Sequence, residues 1–396
     1  MKRLFFIAHR LPYPPNKGDK LRAYHILKHL RQYFAETYLF THLDEARDLG
    51  VVDQLDLPLA GLFYEYAPAS KRKLRCLKGL FKGSLSVAYF YASSLQRKFN
   101  RLLQERPPDV IFCSCAPAAE YVFRAPEIRA RLFLDFMDVD SEKWAAYAQK
   151  TGFPYHLVYA LEARRLRAYE ARIVQRFERV FLVSANEAEL FRRKVLNSAK
   201  ITVVENGVDL SFFNPHHQSS LSKEGPAVVF TGAMDYPPNA EAVTWFAQNC
   251  WPAVKKRCPG ARFYVVGKDP LPEVKALHRK DDIIVTGFVP DARDYLALAD
   301  VCIAPLQLAR GVQNKILEAA AMGRAIVATP QAAEGINLKE GEEIFIARTP
   351  EEFANYTALL LRDQNLARSL GERARKRVEK EYSWEKKLET LTHLFS

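Results

Sequence analysis

The chain has 396 residues, more than one hydrophobic core of ordinary size holds, so we expect two domains. Hydrophobic residues make up 48% of it, and no apolar run approaches the roughly 18 residues of a membrane span, which excludes an integral helical membrane protein and a disordered chain. The net charge of +12 lies in the first half: residues 1–200 carry 34 Lys and Arg against 21 Asp and Glu, and residues 201–396 carry 24 against 25.

The N-terminal segment MKRLFFIAHR has only a short apolar run before His9 and Arg10, too short for a signal-peptide core, and predicts a first buried strand. Cys113 and Cys115 form a single C-x-C, which is a poor metal motif without a second pair. The cysteines are otherwise scattered, so we expect buried reduced thiols and a cytoplasmic protein.

Apolar runs alternate with amphipathic stretches along the whole chain, the pattern of parallel sheets covered by crossover helices. The predicted strands of the first half are 4–8, 37–40, 62–66, 110–113, 132–136, 179–183 and 201–204. Those of the second half are 227–231, 262–266, 283–286, 301–304, 325–328 and 344–347. The predicted helices are 21–33, 157–175, 188–196, 240–251, 291–298, 315–322, 351–361 and 365–380.

Two Rossmann-like α/β domains follow from this alternation, joined by the turn-rich stretch 215–226 (PHHQSSLSKEGP). We place an N-terminal domain at 1–215 and a C-terminal domain at 226–382. The last residues, 383–396, carry Trp384, Leu388, Leu391 and Leu394 on one helical face, which needs a surface to pack on.

Tandem Rossmann-like domains usually bind a ligand in a cleft between them. The G-x-G-x-x-G and G-x-x-x-x-G-K-[ST] motifs are absent, which argues against a dehydrogenase and an NTPase.

A basic stretch lies between Glu65 and Glu105, with nine Lys and Arg, no acidic residue and interleaved Leu, Phe and Tyr. It suits an anionic membrane surface. Solvated helix faces whose apolar residues pack inward explain it equally well. A nucleic-acid partner is not expected, because no recognised binding motif accompanies the charge.

The stretch GVQNKILEAAAMG, 311–323, predicts an anion site at a helix start. Unpaired N–H groups of Val312, Gln313 and Asn314 would lie at the positive end of the helix dipole, and Gly311 would allow close backbone approach. Lys315 adds a charge, and Glu318 can accept two hydroxyl hydrogen bonds, as a ribose offers, so a nucleoside diphosphate fits. The alternative is an ordinary helix start whose surface lysine pairs with Glu318.

An Asp138-Val139-Asp140 match to D-x-D raises the question of a metal-dependent enzyme, but the motif recurs by chance and no metal is expected. Asp135, Asp138 and Asp140 alternate along a predicted strand end, so at most two face the ligand. A carboxylate there can orient an acceptor hydroxyl or stabilise oxocarbenium-like charge, and we choose Asp138. Capping of the next helix by Asp140 or Ser141 is the structural alternative.

A set of segments in a fixed order carries a family resemblance. They are VSANEAELFRR, VVENGVDLSFFNP, VVFTGAMDYPPNAEAV, FYVVGKDP, VTGFVPDARDYLALADVCIAPL, NKILEAAAMGRAIVAT and YSWEKKLETL. The set resembles the GT-B glycosyltransferases of family 4, which are nucleotide-sugar-dependent, metal-independent and retaining. It also resembles the branch of sugar transferases associated with exopolysaccharide and PEP-CTERM-type export systems. The resemblance implies a GT-B fold whose C-terminal helix returns to the N-terminal domain.

The resemblance also assigns roles by position. It implies that Glu318 holds the donor ribose, that the amides of 311–314 bind the donor phosphates and that the loop Gly287, Phe288 and Val289 meets the nucleobase. It places Gly232 and Met234 near the donor phosphates and sugar. Gly18, in PYPPNKGDKLRAY, matches the glycine-bearing loop that faces the diphosphate and acceptor. Lys20 and Arg22 follow it, either as further phosphate charges or on the solvent face of the helix.

Three positions depart from the family pattern. Arg310 stands eight positions before Glu318, where relatives carry a glutamate. The segment AMDYPPNAEAV lacks the Arg and Lys that relatives use to neutralise the phosphates, so we expect Arg310 and Lys315 to supply that charge. Asp138 stands where relatives place a histidine near the reacting carbon.

These observations predict a retaining, cofactor-free and metal-free hexosyltransferase that moves a sugar from a nucleotide-diphosphate donor to a saccharide or polyprenyl-linked acceptor in exopolysaccharide or cell-surface glycan synthesis. We expect it in the cytoplasm, with its basic N-terminal domain on the inner face of the plasma membrane. One alternative is a nucleotide-sugar 2-epimerase of GT-B shape. The other is a non-catalytic nucleotide-sugar or membrane-binding module.

Overall fold

The chain forms two compact units in the computed structural model, which describes residues 2–15, 17–279, 282–309 and 312–395, without the side chains of residues 47 and 77–82. The first unit is Met1–Glu205 with Leu388–Ser396, and the second is Asn206–Lys387. The division falls ahead of the predicted linker 215–226, because residues 206–215 pack with the second unit. Val208, for example, donates its backbone N–H to the carbonyl of Tyr382 at 2.7 Å.

In its described residues the first unit contains a seven-stranded sheet with the order β3-β2-β1-β4-β5-β6-β7, parallel throughout. Nearly every residue of its central strands is buried on both faces, so the strands read as unbroken apolar runs. Phe6 stacks on Phe112 with ring centroids 5.3 Å apart. The strands are β1 (Arg3–Ala8), β2 (Glu36–Leu43), β3 (Gly61–Tyr66), β4 (Val110–Ser114), β5 (Arg131–Met137), β6 (Arg179–Leu182) and β7 (Ile201–Val203).

Helices connect these strands and cover both faces of the sheet. They are α1 (Gly18–Leu30), α2 (Ala69–Lys82), α3 (Leu85–Phe90), α4 (Ser93–Glu105), α5 (Ala119–Phe123), α6 (Asp140–Lys150), α7 (Tyr155–Arg176) and α8 (Ala185–Lys194), with 3-10 turns at Arg31–Tyr33, Ala46–Gln54 and Ala116–Ala118. The basic stretch between Glu65 and Glu105 therefore forms three helices.

The second unit repeats the design with a six-stranded parallel sheet in the order β10-β9-β8-β11-β12-β13, counted over the described residues. Its strands are β8 (Ala227–Thr231), β9 (Arg262–Val266), β10 (Ile283–Gly287), β11 (Val301–Ala304), β12 (Ala325–Ala328) and β13 (Phe345–Ile346). Its helices are α9 (Pro237–Asn249), α10 (Trp251–Arg257), α11 (Pro272–Lys275), α12 (Arg293–Leu298), α13 (Asn314–Ala321), α14 (Pro330–Ala333), α15 (Pro350–Arg362), α16 (Gln364–Glu381) and α17 (Trp384–Lys387).

The predicted α/β class, with two Rossmann-like parallel sheets, is confirmed. Each predicted strand is present, and its ends differ from the prediction by at most three residues. Helices α2 to α6, α10, α11 and α14 were not individually predicted. No helix within the described ranges has both the length and the apolar character needed to cross a membrane.

The C-terminal segment returns to the first unit, as predicted, but not as one continuous helix. α17 ends at Lys387, and α18 (Glu389–Phe395) begins two residues later. The ring of Phe395 packs on Phe133, with centroids 4.7 Å apart, and on Phe34. The predicted single face is therefore wrong: Trp384 belongs to the second unit, and Phe395 is buried where Leu394 was expected to be.

Candidate active site

The carboxyl ends of β8 and β9 are joined at two glycines. The Gly232 N–H donates to the Val266 carbonyl at 3.0 Å, and the Met234 N–H donates to the Lys268 carbonyl at 2.9 Å. A Cβ on Gly267 would lie 1.7 Å from the Gly232 carbonyl oxygen, so only glycine fits there. Gly232 has its own constraint, because a Cβ would lie 2.7 Å from Asn239 Nδ2. The two predicted residues, Gly232 and Met234, thus lie in a tightly closed loop pair.

Lys315 lies in the first turn of α13, half-buried, and its ammonium reaches back towards β8. Its Nζ donates a hydrogen bond to Asn239 Oδ1 at 2.6 Å and lies 4.1 Å from the ring centroid of Phe230. Asn239 is fixed in turn, because its Nδ2 donates to the Ala233 carbonyl at 2.9 Å. Burial lowers the pKa of Lys315 to about 7, although the nearby Glu318 carboxylate favours the charged form.

Glu318 is half-buried on the same helix, one turn beyond Lys315. Burial raises the pKa of Glu318, and the Lys315 charge counteracts that rise. The two predicted residues interact through space, while the hydrogen bond from Lys315 goes to Asn239. The proposed alternative, a surface lysine that merely pairs with Glu318, therefore does not describe Lys315.

The helix α13 begins at Asn314, one residue before the predicted start, with Gln313 in an extended conformation ahead of it. Val312 is buried, and Asn314 Oδ1 accepts a long hydrogen bond of 3.5 Å from Asn206 Nδ2. The two remaining predicted residues of this loop, Arg310 and Gly311, lie outside the described residues.

The loop predicted to meet a nucleobase begins at Gly287, which ends β10 with a φ of +69° that favours glycine. Phe288 follows with 74% of its surface exposed, while Val289 packs against the core of the unit. An aromatic ring this exposed has no folding role that would hold it there, and it offers a flat apolar face to a ligand.

In the first unit, Gly18 begins α1, and a Cβ added to it would meet nothing within 4 Å. The next residue, Asp19, is the centre of a charged cluster. Its Oδ2 accepts from Arg10 at 2.7 Å and lies 3.2 Å from His9 Nε2. Arg10 also contacts Asp44 at 2.8 Å.

The charges of this cluster stabilise one another. Burial works against the cation, but Cys115 and Asp19 raise the pKa of His9 to about 10. Burial likewise works against the Asp19 carboxylate, but the hydrogen bonds from His9 and Arg10 keep the pKa of Asp19 well below its usual range. The contact with Asp19 therefore favours the protonated form of His9.

The predicted solvent-face position of Lys20 and Arg22 is wrong, because both side chains are buried. Arg22 is buried and forms two 2.7 Å hydrogen bonds with the buried carboxylate of Asp135. Lys20 Nζ lies 3.7 Å from Asp48 Oδ1. Asp135 is thereby removed from the candidate ligands, and α1 is tied to β5.

Asp138 is exposed just past the end of β5, after Met137, whose φ is +65°. Asp140 begins α6, and burial raises the pKa of its carboxyl. The expected capping by Asp140 or Ser141 is wrong. Two glutamates from other helices do that work, since Glu170 accepts from the Ser141 N–H and hydroxyl, and Glu187 accepts from the Val139 N–H. No group of three or more His, Cys, Asp or Glu within the described ranges is arranged to hold a metal ion.

Two family models match this chain. The glycosyl transferase 4-like domain matches residues 9–207, half of the chain, and glycosyl transferases group 1 matches residues 225–363. The chain belongs to the glycosyl transferase 4-like family. It is a glycosyltransferase, and every described residue of the candidate site lies within one of the two matched ranges.

Three similar proteins are 16–20% identical to this glycosyltransferase. A 44.6 kDa protein in the cps region of Klebsiella pneumoniae is 20% identical over 369 residues, 90% of each chain. Sucrose-phosphate synthase from Thermosynechococcus elongatus has a TM-score of 0.70 at 16% identity, covering 100% of this chain and 98% of that one. Anabaena HepE, solved with UDP and glucose, has a TM-score of 0.68 at 16% identity, covering 100% and 99%. These structures establish the GT-B fold.

The sequence motifs do not single out Asn239, Gly267, His9 and Asp19, which the structure places in the candidate site. Asn239 lies within the quoted segment VVFTGAMDYPPNAEAV, and Gly267 within FYVVGKDP, but neither residue was assigned a function there. His9 lies three residues before the glycine-bearing segment PYPPNKGDKLRAY (12–24), and Asp19 lies within it. Their pairing depends on the turn after β1, which local sequence does not specify.

Proposed function

We propose that this glycosyltransferase moves a sugar from a nucleotide-diphosphate donor to a saccharide or lipid-linked acceptor, with retention of anomeric configuration and without a metal. The observation that carries the proposal is the Lys315 ammonium, fixed by Asn239 in the first turn of α13 and next to the carboxyl ends of β8 and β9. Anabaena HepE was solved with UDP-glucose, which supports a donor of this class.

The donor diphosphate would bind at the N-terminus of α13, where the positive end of the helix dipole favours an anion. Lys315 adds a cation there, in place of the Arg and Lys that relatives carry after the first strand of this unit. Glu318, one turn on, would accept hydrogen bonds from the donor ribose, and Phe288 would stack on the base.

Transfer breaks the bond between the anomeric carbon and the diphosphate oxygen, and forms a bond from that carbon to an acceptor oxygen. The acceptor proton goes to an oxygen of the departing diphosphate. Because the leaving group gains negative charge as the bond breaks, the Lys315 cation stabilises the transition state more than the bound donor. Asp138, exposed beyond β5, would orient the acceptor hydroxyl or stabilise positive charge on the sugar ring.

Arg310 is proposed to share the phosphate charge with Lys315. Arg310→Ala is then expected to weaken binding of the free nucleoside diphosphate, and unchanged affinity would contradict this role.

The relative from a cps region supports a role in exopolysaccharide or cell-surface glycan synthesis. We place the enzyme in the cytoplasm, at the inner face of the plasma membrane.

A panel of nucleotide sugars and free nucleoside diphosphates, screened by thermal shift, tests the donor class, because a ligand bound only by the folded state raises the melting temperature. NMR of the product made from the best donor then reads the anomeric configuration. Release of nucleoside diphosphate only in the presence of acceptor supports transfer. Conversion of the donor to its 2-epimer, without acceptor, would identify the epimerase instead.

A further inference from the structure

The tip of the α6–α7 hairpin exposes a dense set of aromatic side chains. Helices α6 and α7 are joined by residues 151–154, and not one residue of 142–161 is buried. Three of its apolar side chains are extremely exposed: Phe153 at 80%, Tyr155 at 62% and Leu157 at 56%. Tyr147 and Leu161 are also exposed.

This exposure is not a sign of a loosely built segment. The indole ring of Trp144 packs on Tyr159 with centroids 5.2 Å apart and on Tyr147 at 6.0 Å, so the two helices hold each other through aromatic contacts. At the base, Ser141 of α6 donates two hydrogen bonds to Glu170 of α7. The hairpin therefore presents a fixed apolar surface, and exposed patches of this kind mark interaction sites.

The charge of the tip selects the partner. Between Glu142 and Glu162 the chain has no acidic residue, and its two lysines, Lys143 and Lys150, are both exposed. Exposed Tyr and Phe side chains together with lysines, on a hairpin tip without acids, match the interface of an anionic bilayer. A protein partner or a second copy of the chain would bury such a surface without requiring positive charge.

The hairpin also contacts the basic helical region predicted to meet a membrane. Glu162 of α7 accepts hydrogen bonds from Ser84 and from the backbone N–H groups of Leu85 and Ser86, at the start of α3. Arg165 of α7 donates to the Gly83 carbonyl at 2.9 Å. The part of α7 next to the tip is thus hydrogen-bonded to the turn that follows α2.

We propose that the tip of the α6–α7 hairpin, with Phe153, Tyr155 and Leu157 at its apex, inserts into the interface of an anionic lipid bilayer. This inference deepens the proposed function and rests on it, because a lipid-linked acceptor requires the enzyme to reach the bilayer. The proposal places the main membrane contact on the aromatic tip of the α6–α7 hairpin, which lies outside the basic stretch between Glu65 and Glu105.

Flotation of the full chain with vesicles tests the proposal, using equimolar phosphatidylglycerol and phosphatidylcholine against phosphatidylcholine alone. The wild type is expected to float with the anionic vesicles. Phe153→Ser/Tyr155→Ser/Leu157→Ser should lower the bound fraction at least about tenfold, since three exposed apolar side chains leave the interface. Lys143→Glu/Lys150→Glu should lower it about tenfold or more on anionic vesicles, and the effect should shrink in high salt.

Two matched controls change the same chemistry elsewhere. Leu49→Ser/Leu359→Ser removes exposed leucines, and Lys376→Glu/Lys380→Glu reverses two exposed lysines of α16; both should float like the wild type. The melting-temperature rise with UDP should persist in the hairpin variants, which separates loss of the membrane contact from loss of the donor site. Equal flotation of wild type and triple variant would overturn the proposal. So would a wild-type dimer that the triple variant converts to a monomer.

Discussion

Lys315 donates a 2.6 Å hydrogen bond to Oδ1 of Asn239, a residue from a different helix that is itself held by the Ala233 carbonyl. The ammonium also lies over the Phe230 ring. These contacts fix a long, flexible side chain at one place beside the carboxyl ends of β8 and β9. A cation fixed in advance loses little rotamer freedom when it meets a phosphate, which is why we give Lys315 the central role.

Lys315→Met should weaken binding of UDP about 10- to 100-fold, the range expected when one charge-assisted hydrogen bond is lost. Isothermal titration calorimetry measures this directly. Asn239→Leu should weaken binding less, because the cation remains but is no longer oriented. Lys376→Met removes an exposed lysine of α16 and serves as the control. If the control and Lys315→Met bind UDP equally well, Lys315 has no part in the donor site.

The pH dependence of binding gives a separate prediction for Lys315. Burial lowers the pKa of Lys315 to about 7, so the free protein holds this group partly neutral at neutral pH. A bound diphosphate favours the charged form, so binding takes up a proton and affinity falls as pH rises above about 7. The Kd for UDP should rise by up to about tenfold per pH unit through this range. Lys315→Arg should abolish this slope, because a guanidinium stays charged; a slope unchanged by that substitution would assign it to another group.

Gly267 should be intolerant of any side chain. Its Cβ would lie 1.7 Å from the Gly232 carbonyl oxygen, a backbone atom that cannot move without opening the loop pair. Gly267→Ala is expected to cost about 1–3 kcal/mol in the free energy of unfolding, and to weaken nucleotide binding through the displaced Gly232 loop. Gly260→Ala is the control, because its Cβ would meet only Pro226 Cδ at 3.9 Å. Urea unfolding of the two variants makes the comparison, and similar losses in both would show that the close approach is unimportant.

The strands were predictable because a parallel strand buried on both faces is an unbroken apolar run between turn residues, as in Ala227–Thr231 and Val301–Ala304. The helices between Glu65 and Glu105 were expected only as solvated helix faces without bounds, although the buried Leu95, Phe99 and Leu102 of α4 fall at helical spacing. The break at Leu388 was not predictable either, since the chain there passes from one unit to the other and no local pattern encodes that transfer.

Candidate site residues were predictable where a single residue type meets a single structural or chemical requirement. Gly232 and Glu318 follow from family motifs, and Lys315 and Glu318 follow from helix chemistry. Asn239 and Lys315 are far apart in the sequence, and their contact depends on the packing of α9 and α13 beside one sheet. Arg22 was misread for the same reason, because a charged residue near a predicted loop looks solvent-exposed until its partner, Asp135 on β5, is known.

The buried pair Arg22–Asp135 should be among the most sensitive positions of the first unit. Arg22→Met leaves the Asp135 carboxylate buried without its bidentate partner, which is expected to cost about 3–5 kcal/mol in the free energy of unfolding. Asp135→Leu should cost a similar amount for the uncompensated guanidinium. The double variant Arg22→Met/Asp135→Leu should recover most of the loss, because it removes both charges together. Arg129→Met is the control for loss of an exposed ion pair, since the pair of Arg129 with Glu127 should contribute less than about 1 kcal/mol to the free energy of unfolding. Additive losses in the double variant would mean that the two side chains stabilise the unit independently, and that α1, with Gly18 at its start, is positioned by other contacts.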